Sequence, residues 1–430
     1  MDHLTTAHFA MIAVFLLGYG AIIFEHRLGI NKGAVALLLA AALWLLHFVG
    51  VAPDAHVATH ELTEHLAEVS QIVFFLIGAM TLVEVIDSHG SFRLVTDQIR
   101  TRSKWKVMWI LSLLAFFMSA VLDNLTTTIV MVSLLRRILP NRENRLLLGS
   151  LVVIAANAGG AWTPMGDVTT TMLWIGGQVT TLGVMSALLV PSLVTMVVAV
   201  LMLGMRERTG HYGGEATGEE QKVELGARRV LSLGLGAFVA VPVLKATTHL
   251  PPFIGILLGL GIMWLVTDVL HHEDDDRQHA KVPAAFTKID VSGVLFFLGI
   301  LLGIGALQSA GLLHLLAQGL DSATQGSPEV LAGSIGVLSA IIDNVPLVAA
   351  SMGMYSLEMY PADGRFWDLI AFCAGTGGSI LIIGSAAGVA LMGMEKVDFM
   401  WYLRRISLVA FISYIAGMAT YLGLGALGLV

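Results

Sequence analysis

Charge is scarce in this sequence. Asp, Glu, Lys and Arg together make up 13% of its 430 residues, about half of the roughly 25% carried by soluble domains. A water-soluble surface cannot be built from so few charges, so most of the chain is expected to face lipid. Cysteine is nearly absent too. The single Cys373 excludes a disulfide framework and any multi-cysteine zinc site, and is read as a small apolar packing residue. The chain opens Met1-Asp2-His3, without the basic start of a cleaved signal peptide, and 8–24 is read as a retained first helix. Lys and Arg are missing from 51–68 and from 311–328, which bears on orientation below.

What is present is apolar: 56% of the residues are hydrophobic and the mean hydropathy is +0.81. A membrane helix needs about 20 mostly apolar residues. The candidates are 8–24, 32–50, 69–86, 146–177, 182–204, 230–247, 251–270, 291–310, 369–394 and 406–427. The expected fold is therefore an all-α polytopic membrane protein of about ten spans, with the lipid bilayer as its surroundings and no nucleic-acid partner.

Positive charge marks the cytoplasmic side of a membrane protein. Arg27 and Lys32, then 87–106 and 136–145, then Arg206 to Arg229, then Arg277 to Lys288, then Lys396 to Arg405 hold the basic residues. They alternate with Lys- and Arg-free loops if both termini lie outside the cytoplasm. Two apolar segments do not fit one span each. Segment 107–139 has basic clusters at both ends, and its arms are short. It reads as a re-entrant hairpin with Asp123-Asn124-Leu125-Thr126-Thr127-Thr128 at its turn. Segment 329–357 has acidic flanks and reads as a second hairpin from the other face, with Asp343-Asn344-Val345-Pro346 at its turn.

The hairpins are copies: Ser119-Ala120-Val121-Leu122-Asp123-Asn124 matches Ser339-Ala340-Ile341-Ile342-Asp343-Asn344. At nearly the same offset, Trp44-Leu45 matches Trp264-Leu265, and Gly159, Gly160 and Gly166 match Gly377, Gly378 and Gly384. The charge pattern gives the copies opposite orientation. Residues 1–205 are expected to form one inverted repeat and 230–430 the other, with 206–229 a cytoplasmic linker. Such repeats are a common plan of secondary transporters, which hold substrate near the midplane on discontinuous helices. Gly-Gly and Pro should break 146–177, and Gly-Gly should break 369–394.

The chemistry is expected at the hairpin turns and breaks. A carboxylate in the bilayer core is costly and is a functional-site hypothesis by default. Asp123, Asp343 and Asp167 are the candidates, and no Arg or Lys lies within their motifs. Oxygen donors suit a small hard cation such as Na⁺ or Li⁺. Burial favours the protonated carboxyl and a bound cation the ionised one, so cation and proton would compete for one site. Asp123 and Asp343 are taken as the competing carriers. Asn124, Thr126, Asn157, Thr163, Thr169, Asn344, Ser379 and Ser385 are taken as oxygen ligands. Asp167 is either a third carrier or a cap for the next half-helix. Thr127, Thr128, Thr170 and Thr171 are equally well read as helix-packing residues. Glu68 and Asp290 are read as helix caps, Glu84 as interfacial, and His56, His60, His65, His271, His272 and His279 as solvated loop residues.

The motifs at 123–128, 157–171 and 343–346 resemble those of the NhaD-type sodium/proton antiporters, within a superfamily that includes arsenite permeases and divalent-anion/sodium symporters. The resemblance covers essentially the whole chain. It implies a homodimer in the inner membrane, with a scaffold and an elevator-like transport domain holding hairpins and broken helices. It also implies Na⁺ and Li⁺ as substrates exchanged for H⁺, no cofactor, and activity favoured at alkaline pH. In the anion symporters a Ser stands where these hairpins have Asp. The second copy departs from the first: Gly375, Leu381, Ile382 and Ser385 replace Asn157, Thr163, Pro164 and Asp167. Alternatives are arsenite or carboxylate transport on the same fold and, more remotely, an intramembrane aspartyl protease, whose Gly-x-Gly-Asp reads Pro164-Met165-Gly166-Asp167 here.

Overall fold

The structure is a computed structural model that describes residues 4–23, 25–92, 94, 103–206, 223–224, 226–272 and 280–430. The predicted linker 206–229 and the candidate His279 lie largely or wholly outside these residues. Among the described residues the fold is helical throughout. The principal helices are α1 (Thr6–Ile23), α2 (Lys32–Gly50), α3 (Ala55–Ser88), α4 (Lys104–Leu122), α5 (Asn124–Ile138), α6 (Arg142–Ala161), α7 (Val168–Ile175), α8 (Thr181–Arg206) and α9 (Ala227–Thr248). They continue as α10 (Pro252–Leu270), α11 (Val291–Ser309), α12 (Leu312–Thr324), α13 (Pro328–Leu338), α14 (Asn344–Met354), α15 (Arg365–Gly377), α16 (Ala386–Glu395), α17 (Phe399–Arg405) and α18 (Ser407–Ala426).

Ten of these are long and apolar enough to cross a membrane. The number agrees with the sequence reading, but the membership does not. The segment 369–394 is divided into α15 and α16, so neither piece spans, and the first hairpin arm α4 takes its place with 19 residues. The long segment 146–177 is likewise divided, at Trp162–Asp167 between α6 and α7. Helix α3 differs most from expectation: it runs 34 residues, because Asp54 caps it by accepting from the amides of His56 and Val57. His56, His60 and His65 therefore lie on a helix, and Glu68 lies inside it and caps nothing. Asp290 does cap α11, through the amide of Gly293 at 2.9 Å. His271 is fully buried and its Nε2 lies 3.0 Å from Nε2 of His89. Glu84 pairs with Lys288 at 3.2 Å.

The helices fall into two packed groups. In one, α2 lies along α11 and α1, while α3 packs on α10, α9 and α11. In the other, α4, α5, α8, α15 and α16 surround α6, and α18 packs against α8 and α15. Helix α14 lies against α11 and is the main bridge between the groups. Small residues set the close approaches. A Cβ on Gly159 would meet the backbone of Phe116, and one on Gly377 the backbone of Gly336. Gly166 and Gly384 similarly face the carbonyls of Ser119 and Ser339. At one end of the second group, buried Glu395 accepts from Arg136 at 2.6 Å and Arg145 at 3.0 Å, tying α16 to α5 and α6.

Candidate functional site

Four half-helices begin at the centre of the molecule, and each is capped by the side chain immediately before it. Asp123 caps α5 by accepting from the amide of Thr126 at 2.7 Å. Asp167 caps α7 through Thr169 at 3.0 Å, Asp343 caps α14 through Val345 at 3.2 Å, and Ser385 caps α16 through Gly388 at 3.2 Å. The helices start where they do because Asp and Ser accept bonds from otherwise orphaned first-turn amides. Three of the four amide ends are thus met by carboxylates. The positive end of a helix dipole would otherwise attract an anion.

The turn of the first hairpin is one residue long. Asp123 has φ 78° and ψ 162°, a backbone region that only glycine enters freely. Its carboxylate also accepts from the Thr126 hydroxyl at 2.9 Å, so both oxygens are engaged within the same turn. In the second hairpin the turn takes five residues, 339–343, and Asp343 keeps an ordinary φ of −48°.

Asp167 occupies the meeting point of the two hairpins. It is 2% exposed. Its Oδ1 accepts from the amide and hydroxyl of Thr169, and its Oδ2 accepts from Asn124 Nδ2 at 2.8 Å. Asn344 Nδ2 lies 3.3 Å from Oδ2. Asn124 also donates to Asn157 Oδ1 at 3.0 Å, and Asn157 donates to the hydroxyls of Ser379 at 2.8 Å and Ser385 at 2.9 Å. One buried network thus joins Asn124, Asn157, Asp167, Thr169, Asn344, Ser379 and Ser385 across both hairpins and both breaks. Thr163 is buried nearby, but its hydroxyl donates to the Ala120 carbonyl and holds the break against the first hairpin. The Thr126 hydroxyl donates to Asp123, and Thr126 also lines the cavity between the two helix groups. Thr171 bonds the Asp167 carbonyl at 3.0 Å, in keeping with a helix-internal role. The buried hydroxyls of Thr127, Thr128 and Thr170 find no acceptor among the described residues.

Asp123, Asp167 and Asp343 line one cavity between the two helix groups, walled by Phe75 and Ala79 of α3 and by Phe296 of α11. Among the described residues no three carboxylates or histidines converge tightly enough to hold a metal ion together. The wall also holds a residue that the sequence reading counted only as a basic mark of the cytoplasmic side, at the first position of the span 32–50. Lys32, at the start of α2, places its ammonium 3.4 Å from Asp343 Oδ2 and 4.5 Å from the centre of the Phe296 ring. Nothing in the pattern around Lys32 marks it, since a lysine at a helix start also reads as an interfacial positive charge.

Comparison with known proteins places the chain in a family. Residues 19–377 match the family model described as citrate transporter. Sodium/proton antiporter 2 of Arabidopsis thaliana is 50% identical over 96% of this chain and 98% of its own length. Sodium/proton antiporter 1 of the same plant is 53% identical over 96% of this chain and 72% of its own. The Na⁺/H⁺ antiporter NhaD of Alkalimonas amylolytica is 32% identical over 97% of this chain and 91% of its own. Among solved structures, the YdaH transporter of Alcanivorax borkumensis, described as having an unusual topology, matches with a TM-score of 0.60 over 92% of this chain and 97% of that one, at 13% identity. That likeness concerns the fold alone. Shared sequence along nearly the whole chain and the ten membrane-length helices make this protein a member of the NhaD-type sodium/proton antiporter family, multi-pass membrane transporters rather than enzymes.

Proposed function

We propose that the chain exchanges Na⁺ or Li⁺ for H⁺ across the cytoplasmic membrane, with cation and proton competing for carboxylates at the centre of the molecule. The observation that carries this reading is the capping of three central half-helices by Asp123, Asp167 and Asp343. A pocket for citrate or another anion needs those amide ends free and positive. Here they are neutralised, and the cavity has four carboxylates, Asp123, Asp167, Asp290 and Asp343, to one lysine. The relatives named as sodium/proton antiporters support the same ions.

Asp167 is the favoured carrier. Both hairpin asparagines donate to its Oδ2, where their amide hydrogens stand in the position a cation would take. Turning either amide over would exchange a donor for a carbonyl oxygen, a ligand suited to Na⁺. Asp123 and Asp343 flank it and add negative potential. The matched glycine contacts in the two halves support the inverted repeat. The cavity between the two helix groups supports alternating access by one group sliding on the other. Lys32 and the Asp290 end of α11 border the cavity, so on the charge-based orientation it opens inward.

The test uses proteoliposomes with an acid lumen and an internal pH dye. Adding external Na⁺ or Li⁺ alkalinises the lumen, and Asp167→Asn abolishes the response. Full exchange by Asp167→Asn moves the carrier role to Asp123 or Asp343. No response to any cation, with uptake of citrate or arsenite instead, overturns the reading.

A further inference from the structure

We propose that Lys32 is a tethered countercation that competes with Na⁺ for Asp343 and thereby sets the cation affinity of the open cavity. The inference rests on the cation reading above and goes beyond it, because it assigns a role to a residue outside the carrier motifs.

Lys32 and Asp343 lie 311 positions apart; Lys32 belongs to the first packed group, and Asp343 precedes the bridging helix α14. Lys32 is the first residue of α2, which is held along α11. Its backbone amide donates to Glu25 Oε2 at 3.3 Å, so the start of the helix is anchored independently of its side chain. Asp343 is the last residue of the second hairpin turn. The ammonium therefore reaches from the first group to a carboxylate at the start of the bridging helix, at the cavity wall. Both side chains keep partial access to the cavity, 29% for Lys32 and 20% for Asp343. An entering ion can reach the pair without unfolding anything.

The surroundings fit a displaceable cation. Phe296 lies beneath the ammonium and offers the negative face of its ring, which holds a cation without neutralising it. The charged and titratable groups facing this part of the cavity are Glu25, Asp290, Asp123, Asp167 and Asp343, with Tyr19 from α1. One fixed positive charge among them lowers the attraction for every mobile cation. It lowers it most for one bound at Asp343. When Na⁺ takes the carboxylate, the ammonium keeps its seat over Phe296. When Na⁺ leaves, the ammonium returns, so the empty cavity is never left with an uncompensated Asp343. Removing the charge leaves that carboxylate to Na⁺ alone, and a partly exposed pair of this kind is worth about a fivefold change in affinity.

The experiment is binding of ²²Na⁺ to the purified full-length protein, which reads affinity even where transport is lost. Wild type, Lys32→Gln, Lys32→Arg, Asp343→Asn and the double variant Lys32→Gln/Asp343→Asn are compared. Lys32→Gln is expected to bind Na⁺ about fivefold more tightly. Lys32→Arg, which keeps the charge, stays within about twofold of wild type, since the pair persists in altered geometry. In the Asp343→Asn background the Lys32→Gln substitution has a smaller effect, below about twofold, because only its longer-range influence on the other carboxylates remains. Unchanged or weaker binding by Lys32→Gln overturns the proposal, as does an Arg variant that shifts as far as the Gln variant. Lys32→Met is read in the same way should the Gln variant fail to fold. Absence of Na⁺ binding by the wild type overturns the cation reading itself, which separates the two failures.

Discussion

Asp123 unites three demands that conflict in an ordinary residue. It turns the chain in one step, caps α5 and lines the central cavity. Glycine suits the first demand and fails the others. Asp123→Gly is expected to relieve about 1–3 kcal/mol of backbone strain while losing a few tenths at the cap. The variant should melt at or above the wild-type temperature in detergent. Asp123→Ala keeps the strain and loses the cap, so it should lose about 1 kcal/mol. A Gly variant melting below the Ala variant would show that the turn is not strained. Asn157 makes a different kind of demand. It is fully buried and spends its amide on Ser379, Ser385 and Asn124. Asn157→Ala leaves those partners unsatisfied at a cost of about 1–3 kcal/mol. A melting curve indistinguishable from wild type would deny the network any structural weight. The carboxylates at the hairpin turns and in the first break were legible in the sequence because a charge within an apolar run has few innocent explanations. Lys32 was not legible, because a lysine at a membrane border has many.

Helix packing around the breaks depends on glycine where two backbones touch. A methyl group on Gly159 would have to displace the Phe116 main chain, which a flexible side chain could avoid but a helix cannot. Gly159→Ala and Gly377→Ala are therefore each expected to destabilise the protein by about 1–3 kcal/mol. Gly236→Ala on α9, with open space around it, is expected to be neutral. Equal melting temperatures for all three variants would refute the close-contact account. The paired Gly-Gly sequences announced that 146–177 and 369–394 would be irregular. They could not say that α6 would persist for 20 residues while α15 stops after 13. The N-terminal extension of α3 escaped notice for a related reason. Residues 55–68 are polar, so hydropathy sees no span, although an Asp cap and good helix formers continue the helix beyond the apolar window.

At the scale of the whole molecule, transport by sliding requires the two helix groups to change register. Ala79 of α3 and Leu125 of the first hairpin face the same cavity from opposite groups. Cysteines at 79 and 125, in a Cys373→Ser background, can be joined by a short reducible bis-maleimide-type linker. Exchange is expected to stop on linking and to return on reduction, measured by the lumenal pH dye. Undiminished exchange by the linked protein would rule out relative movement at this boundary. Cys373 is the lone native thiol, so its replacement leaves the introduced pair as the only cysteines.

Membrane residence, the approximate spans, the paired motifs and the acidic character of the centre were determined by the sequence alone. Each of these is a property of local composition or of a repeated order, and neither depends on what a segment meets in space. Tertiary structure decided the division of labour among the carboxylates. Asp123, Asp167 and Asp343 look alike along the chain, yet one is closed on its own turn, one receives both hairpin asparagines, and one faces a lysine from 311 positions away. Electrostatic roles depend on distance and burial, which only the packing of helices remote in sequence supplies.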